Sequence, residues 1–65
     1  MTFAECIPIL AKYGKLKLPW TLTGAYIALN KDYYNVLSCF YPDGLIVSYD
    51  LTLEDITTTD WEVVE

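Results

Sequence analysis

The strongest constraint on this chain is a helix start set between two extended, apolar runs. Leu45-Ile46-Val47-Ser48-Tyr49 reads as a strand, and so does the stretch at Asp60-Trp61-Glu62-Val63-Val64. Between them, Thr52-Leu53-Glu54-Asp55 has the layout of a capping box, with Asp in place of the usual Glu. In that arrangement the Thr52 hydroxyl accepts from the Asp55 N–H, and the Asp55 carboxylate accepts from the Thr52 N–H. Glu54 and Asp55 also place negative charge in the first turn, where the helix dipole favours it. Thr57, Thr58 and Thr59 follow, and threonine is stiff at χ1 and a poor helix former. The helical piece should therefore last one or two turns before the chain becomes extended again.

Sixty-five residues form one domain, residues 1–65. A chain this short buries only about 60% of its unfolded surface. A core of that size supplies about 3–5 kcal/mol, so small domains lean on staples or on association. The sequence has two cysteines, Cys6 and Cys39, and no histidine, so no zinc ligand set is present. Met1-Thr2-Phe3-Ala4-Glu5 lacks the basic segment and apolar run of a secretory signal. Both cysteines read as small buried hydrophobes in a reducing compartment. With six Tyr and two Trp, the chain carries more amphipathic rings than one small core hides, as interfaces and ligand sites do. Association into a homo-oligomer, a dimer or a tetramer, is the expected stabiliser. Aromatic residues of the Tyr33–Tyr41 run are expected in the contact.

Two exclusions follow from charge and hydropathy. The net charge is −5, with four Lys and no Arg, which argues against duplex nucleic acid as a partner. No apolar stretch reaches the ~18 residues of a membrane span. A small phosphorylated ligand remains compatible, since backbone N–H groups, hydroxyls and one or two lysines can hold it.

In chain order, Thr2-Phe3-Ala4-Glu5 is a second capping box. Phe3, Ile7 and Leu10 recur at helical spacing, and Gly14 is placed to end the helix as its C′ residue. The spacing predicts a helix over residues 3–13, kinked or 3₁₀-like near Pro8, which removes a helical N–H. Lys15-Leu16-Lys17-Leu18 alternates as a half-buried strand does, and Pro19-Trp20 breaks it. Thr21-Leu22-Thr23-Gly24 reads as a turn, Ala25–Leu29 as a strand and Asn30-Lys31-Asp32 as a turn. Tyr33–Tyr41 reads as one long strand, and Pro42-Asp43-Gly44 as the hairpin turn into Leu45–Tyr49. The predicted class is α+β: an N-terminal helix packed on a small antiparallel sheet of about five strands, with a short helical turn before the last strand.

No catalytic constellation is visible. The usual general base is missing without His, and no phosphate-binding glycine motif occurs. Asp55 and Asp60 could pair as acid and base, but a cap and the start of a strand explain them more simply. The reading is a binding module, not an enzyme, with no cofactor. Trp20, before a threonine-rich turn that begins at Thr21, can stack on a nucleobase or plug the core. Lys17 can meet a phosphate or simply be solvated. Tyr26 and Tyr49 are balanced between packing and ligand contact, whereas Trp61 reads as core.

The C-terminal stretch resembles the phage Thoeris anti-defence 2 family. Members of that family read Trp-Thr-Pro-Ser-x-x-Asp-Leu-x-Ala-x-Asp-Trp-x-Val here. Asp55, Asp60, Trp61 and Val63 match by identity, Thr52 stands for Ser, Tyr49 for Trp and Leu51 for Pro. Asp43-Gly44 matches the family's hairpin turn. Phe3, Gly14, Lys15 and Trp20 fit its first half, with Lys17 at the position of an Arg and Pro19 at that of a Gly. The family's longer insertion before the hairpin is missing. The resemblance implies a protein that acts in the cytoplasm of the bacterial host. There it would sequester a cyclic ADP-ribose-type immune nucleotide without cleaving it, as a homo-oligomer. It carries a ligand role onto Lys17, Trp20, Tyr49, Thr52 and Asp55, to which Thr21 and Tyr26 are added as neighbouring candidates. Two alternatives stand beside it. One is a protein-binding inhibitor of a bacterial defence nuclease, of the anti-CRISPR kind, steered by acidic charge. The other is a phage accessory domain with no soluble ligand.

Overall fold

The computed structural model describes residues 1–65. The order is α1 (Phe3–Ala11), β1 (Leu16–Lys17), β2 (Tyr26–Asn30), β3 (Val36–Phe40), β4 (Ile46–Ser48), α2 (Leu53–Thr57) and β5 (Glu62–Val63). The five strands form one sheet in the order β4-β3-β2-β1-β5, antiparallel at each junction. This is the predicted α+β arrangement, with the short helix immediately before the last strand. No helix is long and apolar enough to cross a membrane.

Strand alternation divides the sheet into two faces. Val63, Leu16, Ile27, Cys39 and Val47 align through cross-strand register into one row on the inner face. The middle three are buried there with Cys6 and Leu10 of α1, together with Leu18, Ala25 and Trp61. Trp61 is core, as its sequence context suggested, and its ring lies 5.6 Å from that of Phe3. Cys6 and Cys39 are free thiols, both buried. Tyr26 and Phe40, paired across β2 and β3, stack at 4.9 Å on the outer face.

Both capping boxes form. Thr2 Oγ1 accepts from the Glu5 N–H at 3.2 Å, and Glu5 Oε1 accepts from the Thr2 N–H at 2.8 Å. Pro8 lies inside α1, yet the segment is α-helical from Phe3 to Ala11 with no 3₁₀ turn. The helix stops two residues short of the predicted end, and by a different residue. The left-handed position is Tyr13 (φ 60°), not Gly14. The Tyr13 N–H donates to Leu10 O at 2.9 Å and the Gly14 N–H to Ile9 O at 2.9 Å, the paired bonds of a Schellman motif. Gly14 is required for closeness rather than for φ. A Cβ there would lie 2.9 Å from the Ile9 carbonyl oxygen and would also press on the Ile9 side chain.

The third strand is shorter than the Tyr33–Tyr41 run. Residues 31–35 are turn, because Tyr34 (φ 53°) and Asn35 (φ 54°) are both left-handed. The Val36 N–H donates to Tyr33 O at 3.0 Å, closing a two-residue turn whose twist suits a hairpin. Asn tolerates that conformation, whereas a tyrosine there is strained. β1 and β5 are also trimmed, to Leu16–Lys17 and Glu62–Val63. The Pro42-Asp43-Gly44 turn forms as expected, with Gly44 at φ 93°.

Gly14→Ala should lower the unfolding free energy by about 1–3 kcal/mol through overpacking against Ile9. Gly44→Ala meets no atom within 4 Å and should lose only the left-handed penalty, about 1–2 kcal/mol. Urea unfolding of the two variants measures both, and a Gly14→Ala protein as stable as the parent would remove the close-approach role of Gly14.

Candidate functional site

Four of the sequence-selected residues meet at one carboxylate. Asp55 is only 1% exposed, at the first turn of α2. Its Oδ1 accepts from Trp20 Nε1 at 3.0 Å. Its Oδ2 accepts from the Tyr49 hydroxyl at 2.8 Å and from the Thr52 N–H at 3.0 Å. The Asp55 N–H donates to Thr52 Oγ1 at 3.1 Å, and Trp61 Nε1 donates to the Asp55 carbonyl at 2.8 Å. Both indoles of the chain therefore bond to the same residue, one to its side chain and one to its backbone.

Local sequence positions each donor. Pro19 presets the turn Leu18-Pro19-Trp20-Thr21, closed by the Thr21 N–H on Leu18 O at 3.0 Å. Thr21 Oγ1 answers by accepting from the Leu18 N–H at 2.9 Å. This turn holds Trp20 with its nitrogen edge anchored on Asp55 while 46% of its surface meets solvent. Tyr49 follows β4, where its N–H donates to Leu37 O, and its side chain packs against the core.

No lysine neutralises Asp55; dipoles do. Burial alone raises a carboxyl pKa, but the hydrogen bonds from the Thr52 N–H, Tyr49 and Trp20 outweigh it and hold Asp55 below the ordinary value. Tyr49 is pushed up to about 12, by burial first and then by its bond to the Asp55 carboxylate. No buried side-chain polar atom in the chain lacks a partner. The polar atoms of the cluster are mutually satisfied, and Asp60 makes no hydrogen bond to Asp55 through its side chain. No three His, Cys, Asp or Glu side chains gather as a metal site.

The other candidates lie elsewhere. Lys17 Nζ is 3.9 Å from Glu62 Oε2, in an exposed ion pair across β1 and β5. Lys17 and Thr21 border a shallow depression with Leu22, Gly24 and Glu62, separate from the Asp55 cluster. Tyr26 is on the outer face of the sheet, in a groove of about 310 Å³. Tyr13, Lys15, Asn30, Lys31 and Phe40 share that groove, and none of them is among the ligand residues expected from the sequence. One sequence signal could have found it. All four lysines and a single acid, Glu5, fall in residues 1–31, whereas residues 32–65 hold eight acids and no lysine. The positive charge of the chain is confined to the part that builds α1, β1 and β2.

No protein-family model matches the chain, and no curated protein matches it significantly.

Asp55→Ala should cost more than a lost cap. It removes the acceptor of three donors, and the unfolding free energy should fall by about 2–4 kcal/mol, against about 0.5–2 kcal/mol for capping alone. The folded pKa of Asp55 is depressed, so its contribution is complete above the unfolded value of about 4 and is lost as pH falls through the folded value. Tyr49 is raised, so its contribution is complete below about 10 and is lost as pH rises toward about 12. Urea midpoints across pH should therefore drop below pH ~4 and again above pH ~10. An Asp55→Ala variant whose midpoint kept the full acid-side drop would remove Asp55 as its source.

Proposed function

We propose that the protein is a non-catalytic sequestering protein for a cyclic ADP-ribose-type signalling nucleotide, as its resemblance to the Thoeris anti-defence 2 family implies. It takes up the nucleotide whole in the cytoplasm of the bacterial host and denies it to the downstream immune effector. The observation that carries this reading is the convergence of Trp20, Tyr49, Thr52 and Asp55. Four positions aligned with the family's ligand residues, drawn from opposite ends of the chain, gather in one cluster. Trp20 is a stacking ring fixed before any ligand arrives, because its Nε1 is tethered to Asp55 while much of the ring stays open. A preorganised aromatic loses little conformational freedom on binding. Tyr49, Thr52 and Asp55 support the ring through their hydrogen bonds, and Lys17 supplies at most a point charge without the fork of an Arg.

Association into a dimer or tetramer belongs to the same reading. Its support is the edge strand β4, where Leu45, Ile46 and Val47 are exposed and carry no charge. An edge without lysine, proline or bulge is open to pairing. A second reading, a protein-binding inhibitor of a defence nuclease, is favoured by one observation: the acidic bias of residues 32–65, which suits a basic partner surface.

Calorimetric titration with cyclic ADP-ribose isomers should show uptake, and chromatography after heat release should recover the nucleotide intact. Trp20→Ala should weaken binding by about 1–3 kcal/mol, the value of a base stack, and Lys17→Ala by less. Degraded nucleotide would make the protein an enzyme, and no uptake of any isomer would leave the protein-binding inhibitor. Light scattering at micromolar concentration should give a mass above the 7.4 kDa chain, and a 7.4 kDa particle would remove the oligomer.

A further inference from the structure

We infer that the outer face of the sheet carries a second site, for a small anion bearing a flat ring. The site is the groove between the α1–β1 connection, the outer face of β2 and β3, and the start of the turn at residues 31–35, and its assignment does not rest on the Trp20 reading. Its floor is low because β2 places Ala28 between Tyr26 and Asn30 on that face. Tyr26 and Phe40 form an aromatic wall, stacked at 4.9 Å and 11°. Two ammonium groups stand over tyrosine rings at its sides. Lys15 Nζ is 4.7 Å from the Tyr26 centroid, and Lys31 Nζ is 5.9 Å from the Tyr13 centroid.

Charge makes this pairing informative. In a chain with nine acids and four lysines, Lys15 and Lys31 make no ion pair; the single ion pair joins Lys17 to Glu62. Asp32 also borders the groove and opposes an anion there. Its backbone is turned by the bond from its N–H to Asn30 Oδ1, at 3.1 Å. An incoming anionic group exchanges two weak, exposed cation–π contacts for charge-assisted hydrogen bonds to both ammonium groups. A flat ring on the same molecule then lies against Tyr26 and Phe40.

A second, independent observation points to the same place. The chain has three non-glycine residues with positive φ: Tyr13, Tyr34 and Asn35. Tyr13 lines the groove, and its hydroxyl donates to Asn35 Oδ1 at 2.9 Å. Tyr13, at the rim of the groove, is thus tied by one hydrogen bond to the second residue of the left-handed Tyr34-Asn35 turn. Strain of this kind persists where the surrounding structure enforces it and gathers at ligand clamps.

The test is a titration of ¹⁵N-labelled protein, followed by amide shifts. The probes are adenosine 5′-monophosphate, phenyl phosphate, adenosine and inorganic phosphate. The two ring-bearing phosphates should shift the amides of Ala28, Asn30, Lys31 and Phe40 and bind more tightly than either adenosine or phosphate. Lys15→Gln with Lys31→Gln should weaken them roughly tenfold or more, since two charge-assisted contacts are lost. Both lysines are exposed, and unchanged circular dichroism would show that the fold is kept. Lys31→Glu alone provides a second variant and should weaken binding in the same direction. Trp20→Ala should leave these shifts unchanged, which separates this site from the Trp20 cluster. Absence of shifts with both ring-bearing phosphates overturns the inference. So do shifts centred on Trp20, binding undiminished in the lysine variants, or phosphate alone binding as well as phenyl phosphate.

Discussion

The structure depends on one buried carboxylate. Moving a charged group out of water is expensive, and such groups are normally paired with a cation or protonated. Asp55 is neither. Its charge is offset by an indole N–H, a phenol O–H and a backbone N–H, three donors whose bonds to an ionised acceptor are stronger than neutral ones. The geometry has a topological effect. Trp20 precedes Asp55 by 35 residues, and Trp61 follows it by six. One residue therefore joins the β1–β2 connection, the end of β4, α2 and the approach to β5. Those are the segments that a small sheet leaves least supported.

That device answers the size problem. Only 11 of the 65 residues are buried, and β1 and β5 are two residues long. Ladders this short cannot hold register by backbone bonds alone, so side chains must fix it. The inner row from Val63 to Val47 supplies apolar register at the centre of the sheet. The Asp55 cluster supplies polar register at its β1–β5 end. Polar contacts are directional, and a slip of β5 by one residue would move Trp61 Nε1 away from the Asp55 carbonyl. The two kinds of contact specify the same arrangement, which is the consistency expected of a sequence with one fold.

Local chemistry was legible in the sequence; long-range chemistry was not. Thr52 and Asp55 announce their reciprocal bonds because the spacing of three residues is itself the mechanism. That local spacing accounts for Asp55 only as a cap. Nothing local says that Trp20 and Tyr49 also reach it. Element order was readable from periodicity and turn residues, including the Pro42-Asp43-Gly44 hairpin. Two of the boundaries that moved did so for one reason. Gly14 drew the left-handed position to itself, and the aromatic, β-prone residues Tyr33 and Tyr34 drew the strand to themselves. In both places a tyrosine takes part in a left-handed turn that propensity assigns to glycine or asparagine. Tertiary context overrides propensity there, since Tyr13 and Asn35 are tied together across 22 residues.

The two sides of the sheet divide stability from availability. Around Asp55, the buried side-chain polar atoms are already engaged, so a ligand there gains ring surface and gives up hydrogen bonds if it displaces them. Trp20 escapes this limit because its ring is open while its nitrogen is occupied. On the outer face the polar groups are the reverse: Lys15 and Lys31 lean on rings and face no carboxylate partner. A cation–π contact at an exposed site is worth about 0.5–1 kcal/mol, less than a charge-assisted hydrogen bond at about 1.5–3 kcal/mol, so these lysines are held in place yet free to change partners. In a chain with net charge −5, distant anions are repelled by the molecule as a whole and attracted only near α1 and β2. Screening by salt acts on both effects, but the repulsion is long-ranged and fades first. Moderate ionic strength therefore favours the local attraction, and an anion that binds this protein does so through contacts made at short range.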